Sequence, residues 1–184
     1  MFFNKEVRLA NFENTMVDLE TLGVGESAVF PVLCAVRFDM ETGEIGDCFY
    51  RNISVSDQLN SGRTTDGKTI EWWLKQDILA RESLMADGSP LRVVLTEFWK
   101  WMYPGAIVWA NGIDFDLSIL QHAYNRNTPW EFWNQRDSRT VVKLSGINTK
   151  EIVFEGTKHN AKDDCVYQIN TLRMALIKMG VING

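Results

Sequence analysis

The sequence predicts an α/β fold: a mixed five-stranded sheet, three antiparallel strands followed by parallel ones, with helices on its flanks. Two observations carry this. The first third alternates apolar, strand-like runs with turns, and the rest alternates short apolar runs with helical patterns. Residues 14–21 form the first strand, apolar at Met16-Val17 and acidic at its end. Residues 29–39, rich in Val, Phe and Ala, form the second; Glu41-Thr42-Gly43-Glu44 is a hairpin turn, and residues 47–54 return as the third. Residues 56–68 are polar, contain Gly62 and Gly67, and read as a loop. A short helix spans residues 69–79 with Thr69 as its cap. Ser89 caps and Pro90 opens a helix over residues 91–102, which Pro104-Gly105 stops. Residues 106–110 are wholly apolar, as a parallel strand buried on both faces should be. Residues 115–125 are then helical, 130–133 a short strand, 137–144 a helix and 160–179 a long terminal helix. No repeat, low-complexity tract or linker interrupts the chain, so residues 1–184 are expected to form one domain.

Three acidic segments stand out: Val17-Asp18-Leu19-Glu20-Thr21, Asn111-Gly112-Ile113-Asp114-Phe115-Asp116 and His159-Asn160-Ala161-Lys162-Asp163-Asp164. On a strand, residues two apart point the same way, so Asp18 and Glu20 share a face. Two carboxylates side by side on a buried strand repel each other and lose hydration unless a cation compensates. With Asp116 and Asp164 brought to the same place, four carboxylates can hold two Mg²⁺ or Mn²⁺ ions, the arrangement used for in-line displacement at phosphorus. Carboxylates occupied by metal are poor proton acceptors, and His159 supplies a base suited to neutral pH. On an ideal helix His159 and Asp164 would lie on different faces. The spacing works if His159 sits on the loop entering a helix and Asp164 on an early turn. Asp163 is expected at the surface, and His122, with no acidic partner, as a structural residue.

The order Asp-x-Glu, Phe-Asp after an Asn-containing strand end, and His-x-Ala-x-x-Asp resembles the DEDDh 3′–5′ exonuclease superfamily. Thr69-Ile70-Glu71-Trp72-Trp73-Leu74-Lys75-Gln76 and Phe132-Trp133-Asn134-Gln135-Arg136-Asp137-Ser138-Arg139-Thr140 narrow it. Both segments resemble phage exonucleases of the exonuclease A type, and their exonuclease VIII-like and mycobacterial exoribonuclease-like relatives. The similarity runs from about Asn14 to Met179, and the predicted strand order is that of ribonuclease H-like folds. It implies a two-metal exonuclease with Asp18, Glu20, Asp116 and Asp164 as ligands and His159 as general base. One departure leaves a register open. The family often has a His-Asn pair before Phe-Asp with two residues between; here Gly112-Ile113-Asp114 adds a residue, making Asp114 a rival to Asp116. Phe115-Asp116-Leu117 with Leu120 following fits the pattern better.

The implied substrate is the 3′ end of DNA or RNA, with DNA favoured by the exonuclease A similarity. Leu19 and Phe115 flank catalytic carboxylates and are candidates to wedge against the terminal nucleotide; Thr21 and Asn111 are candidates to position it. Trp72 or Trp73 is a candidate to stack on a base, the other packing the core. Gln76, on nearly the same helix face as Trp73, is a candidate hydrogen-bonding partner. Arg136-Asp137-Ser138-Arg139 reads as an internal ion-pair network or as a phosphate clamp. A catalytically silent nuclease fold used for binding would be expected to have lost a carboxylate or the His, and none is lost. A polynucleotidyl transferase or endonuclease of the same broad fold is disfavoured by His-x-Ala-x-x-Asp.

The bulk properties fit. A chain of 184 residues, 45% hydrophobic and 11% aromatic, can build a substantial core. Its net charge of −5 runs against a polyanionic substrate, but two divalent ions offset most of it. Locally, Arg126, Arg136, Arg139, Lys143, Lys150, Lys158 and Lys162 outnumber Glu131, Asp137, Glu151 and Glu155. Cys34, Cys48 and Cys165 form no Cys-x-x-Cys and read as reduced core thiols. No apolar run approaches a membrane span, and residues 1–8 lack a signal-peptide pattern. The expected location is the cytoplasm, or the host cytoplasm if the chain is phage-encoded. A monomer or a homodimer is expected, because the apolar positions of the last helix suit its own sheet as well as a partner.

Overall fold

A computed structural model describes residues 11–183; the reading of residues 1–8 lies outside them. Strands β1 (Asn14–Glu20), β2 (Val32–Phe38) and β3 (Ile45–Asn52) are antiparallel neighbours. β4 (Ile107–Ala110) pairs parallel with β1, and β5 (Gln135–Asp137) parallel with β4. The order across the sheet is β3-β2-β1-β4-β5, the mixed ribonuclease H-like sheet that the sequence predicts. Between β2 and β3 the hairpin is clamped by the Asp39 carboxylate, which accepts from the Thr42 N–H at 2.8 Å, while Gly43 takes a left-handed φ of 77°.

Strict alternation sorts β1 and β2 between two cores. Val17, Leu19, Leu33 and Ala35 face a cluster with Val94, Phe98, Leu117 and Leu120, from helices α4 (Leu91–Trp101) and α5 (Asp116–Ala123). Met16, Val32, Cys34 and Val36 face the opposite way, onto Cys165, Ile169, Leu172 and Leu176 of α7 (Ala161–Lys178). Those four residues of α7 recur every three or four positions, the spacing of one helix face. Asp18 and Glu20 therefore lie on the α7 side of the sheet. No helix among the described residues is long and apolar enough to cross a membrane.

Several elements depart from expectation. Within the segment read as a loop, Val55–Asn60 is helical (α1), capped by Ser54, because the buried Gln58 amide bonds the Phe30 N–H and C=O at 3.0 and 3.1 Å. The helix expected over residues 69–79 is two helices, α2 (Gly67–Trp73) and α3 (Ile78–Met85). Asp66, not Thr69, caps the first, and Asp77 caps the second; each carboxylate accepts from a first-turn N–H and so dictates a helix start. Ser89 does not cap α4. Its backbone is held in a bridge with Ile53, and Asp57 reaches across to the Leu91 N–H at 2.8 Å instead. The short strand expected at residues 130–133 is displaced: Phe132–Asn134 is a 3₁₀ turn, and the strand follows at Gln135–Asp137.

Candidate active site

β1 outruns β4. The parallel pairing stops at Val17 opposite Ala110, so Asp18, Leu19 and Glu20 continue with a strand neighbour, β2, on one side only. On the open side the Leu19 N–H would be an unpaired strand-edge donor. Asp116, at the first position of α5, accepts it with Oδ1 at 3.1 Å. From the α7 face comes Asp164, in the first turn of a helix whose cap Asn160 accepts from the Lys162 and Asp163 N–H groups. Asp18, Glu20 and Asp164 each bring an oxygen to within 4.8 Å of the others. Asp116, not Asp114, joins them: Asp116 is buried and its charge acts on both Asp18 and Glu20, whereas Asp114 is exposed.

Burial and like charge dominate the electrostatics of this cluster. Burial raises the Asp18 carboxyl well above the usual carboxylate range, and the charges of Asp116, Glu20 and Asp164 push it the same way. Burial, then Asp164 and Asp116, push Glu20 up to about 9. Asp116 rises to about 7, by burial, against the lowering effect of the Leu19 N–H. Asp164 rises to about 6, again by burial. Glu20 Oε1 is buried with no hydrogen-bond partner. Oxygen-only donors, mutual repulsion and an orphaned buried oxygen all suit a hard divalent cation.

His159 lies on the loop just before α7, in the left-handed region at φ 63°. Its ring meets Trp72 edge-on at 4.9 Å and 80°, and Trp73 at 6.1 Å and 82°. Trp73 is anchored in turn, its Nε1–H donating to the Thr21 carbonyl at 2.8 Å. Burial and the neighbouring Lys158 charge both lower the imidazole pKa, favouring the neutral ring. Two cavities flank the carboxylates. One, of about 630 Å³, is lined by Leu19, Glu20, Thr21, Trp72, Trp73 and Phe115. The other, of about 320 Å³, is lined by Asn111, Lys158, His159, Asp164 and Gln168 among others. Of the predicted site residues, only Gln76 stands apart: its amide turns back to the Trp72 carbonyl at 2.9 Å and lines neither cavity. The Thr21 hydroxyl is committed to the Gly23 carbonyl. His122 touches none of the acidic groups and lies 3.5 Å from Arg63.

Sequence reasoning missed Gln168, whose Nε2 donates to Asp18 Oδ1 at 2.7 Å. The signal was present, since Gln168 lies four residues beyond Asp164 and so on the same helix face. It also left Arg139 undecided. The guanidinium holds the Asn111 carbonyl at 2.6 Å, and its charge lowers the Asp116 carboxyl.

The family described as the 3′-5′ exoribonuclease Rv2179c-like domain matches residues 13–176. The chain belongs to that family, and with it to the DEDDh-type 3′–5′ exonucleases. It is 27% identical to an exodeoxyribonuclease of Enterobacteria phage T4 over 200 residues, covering 88% of both chains. Among solved structures it resembles E. coli Exonuclease I in complex with a dA16 oligonucleotide, with a TM-score of 0.69 at 15% identity. That match covers 91% of this chain and 41% of Exonuclease I. Exonuclease I from Methylocaldum szegediense matches with a TM-score of 0.63 at 15% identity, over 90% of this chain and 40% of that one. The chain thus spans about two-fifths of the length of these structures, and the likeness to them is one of fold.

Proposed function

We propose that this exonuclease removes nucleotides from the 3′ end of DNA as nucleoside 5′-monophosphates, using two Mg²⁺ or Mn²⁺ ions and His159 as general base. The observation that carries it is the meeting of Asp18, Glu20 and Asp164 oxygens within 4.8 Å, joined by Asp116 and bordered by a neutral-leaning imidazole. Asp18, Glu20, Asp116 and Asp164 would hold the cations, which when bound neutralise phosphate charge and activate water for in-line attack. His159 takes the proton from the attacking water as the new P–O bond forms and the bond to the 3′-oxygen breaks. Trp72 and Trp73 fix the plane of that imidazole. The cavity beside Glu20 receives the terminal nucleotide, with Leu19 and Phe115 as its apolar walls. Gln168 holds Asp18, keeping one ligand in a single orientation.

DNA is favoured by the similarity to the phage exodeoxyribonuclease across 88% of each chain. The family description favours an exoribonuclease with the same site. Three buried or half-buried free thiols suit the reducing cytoplasm as its place of work. End-labelled DNA and RNA of one sequence, digested in parallel, separate the two substrates. Turnover should vanish with chelator and return with Mg²⁺ or Mn²⁺. Asp18→Asn and Asp164→Asn should each remove nearly all of it with the fold intact by circular dichroism. Strong turnover by metal-free protein, or near-parent rates in either variant, would overturn this assignment.

A further inference from the structure

The segment joining α6 (Ser138–Ser145) to α7 ends in a turn over residues 157–160, of which His159 is the third. The turn is closed by the Asn160 N–H, which donates to the Thr157 carbonyl at 3.2 Å. At φ 63° His159 takes a conformation that a residue with a β-carbon keeps only where its surroundings hold it there. Those surroundings are the first turn of α7. Asn160 caps the helix, accepting from the Lys162 and Asp163 N–H groups at 3.2 and 3.4 Å. Asp163, expected at the surface, is half-buried, and its Oδ2 accepts the Thr157 N–H at 2.8 Å. An acid at the third position of a helix ordinarily turns back to the N–H of the capping residue. Here that N–H is already given to Thr157, and Asp163 reaches three residues further, to the start of the turn. Gly156 lies directly on the carboxylate. A β-carbon there would overlap Asp163 Oδ2 and Cγ, and its φ of 103° suits glycine. The turn that carries His159 is thus tied to α7 twice, by Asn160 at its last residue and by Asp163 at its first.

We propose that Asp163 is a positioning residue for the hydrolysis: through Thr157 it holds the turn in the conformation that sets the His159 imidazole against Trp72 and beside Asp164. The inference rests on the reading of His159 as general base. In this role Asp163 acts through the imidazole and not on the cations. Its loss should slow proton transfer and spare the binding of metal and nucleic acid. A carboxylate that served only the dipole of α7 would change stability alone.

Asp163→Ala and Asp163→Asn carry the same charge, so what separates them is the oxygen that Asn keeps for the Thr157 N–H. On the single-stranded oligomer that the parent cleaves, DNA or RNA, kcat of Asp163→Ala should lie roughly five- to tenfold below that of Asp163→Asn, the worth of one hydrogen bond. KM, and the Mn²⁺ affinity measured by calorimetry without nucleic acid, should be the same in both. In a His159→Ala background the two should turn over alike, because a residue that acts only through the imidazole has nothing left to position. Gly156→Ala presses on the same contact from the other side and should lower kcat likewise. Asn160 still caps α7 in all of these variants, and circular dichroism checks that each is folded. The chain has two histidines, so the His159 imidazole signals in NMR spectra are those that His159→Ala removes. They should be sharp in the parent and in Asp163→Asn and broadened in Asp163→Ala, while those of His122 stay unchanged. If the parent cleaves neither oligomer, or His159→Ala keeps the parent rate, the reading above fails. Broadened signals would then still establish Asp163 as the anchor of the turn, and sharp ones would overturn it. Where the parent does cleave, equal kcat in Asp163→Ala and Asp163→Asn would overturn the proposal. So would a Mn²⁺ affinity that falls along with kcat, or a difference between the two variants that persists undiminished in the His159→Ala background.

Discussion

His159 stands at a left-handed corner, a conformation that costs a residue bearing a β-carbon about 1–2 kcal/mol. The fold bears that strain where it places the imidazole between Lys158 and the tryptophans. His159→Ala and His159→Gly should both lose about 10²–10⁴-fold in rate, while the Gly variant melts above the Ala variant, a difference that calorimetry would read. Because burial and Lys158 hold the imidazole below its ordinary value of 6.5, the parent rate should rise with pH below that point and be complete at neutrality. A His159→Ala profile that kept this rise would assign the titration to another group. The acidic residues were legible in sequence because carboxylates two apart on a strand have few other purposes. Asp116 could be preferred to Asp114 from the Phe-Asp-Leu pattern, but the physical reason for it could not be read there: the Leu19 N–H that its carboxylate meets across ninety-seven positions of chain. The pairing of His159 with Trp72 is likewise a tertiary fact with no local trace.

At the scale of elements, polar composition misled where a single buried group decides. Residues 56–68 look like loop because almost nothing there is apolar, yet α1 forms and Gln58 is fully buried. Gln58→Leu should leave both the Phe30 N–H and C=O unpaired, at about 1–3 kcal/mol each. At roughly 2–4 °C per kcal/mol for a chain of this size, the melting midpoint should fall by about 5 °C or more. A midpoint within a degree of the parent would show that water replaces the amide. The long helix α7 was legible because its apolar positions keep one face over its whole length. The break between α2 and α3 was not, since Asp77 looks like any surface acid until it is seen capping Leu79.

For the whole molecule, the acidic cluster sets a pH dependence with a definite sign. A carboxyl raised above its unfolded value stabilises the fold fully below that value, and the contribution is lost as pH climbs through the folded pKa. Asp164, Asp116 and Glu20 rise to about 6, 7 and 9. Chelator-treated protein should therefore lose stability progressively as pH climbs from about 4 to 9, where ionising even one of these groups lowers the midpoint by roughly 5–10 °C. Saturating Mg²⁺ or Mn²⁺ should flatten that slope, because a ligand that binds only the folded state stabilises it. A flat profile without metal would mean that the carboxylates carry no mutual strain. The sheet order was legible as a pattern of turns and apolar runs; the exact ends of strands were not, and it is at such an end that the site lies. Asp116 closes the last rung of β1 as well as lending its charge. Whatever replaces it must first accept a hydrogen bond. Asparagine retains an oxygen for the Leu19 N–H while giving up the negative charge, so Asp116→Asn is the form in which an uncut strand should persist long enough to be crystallised.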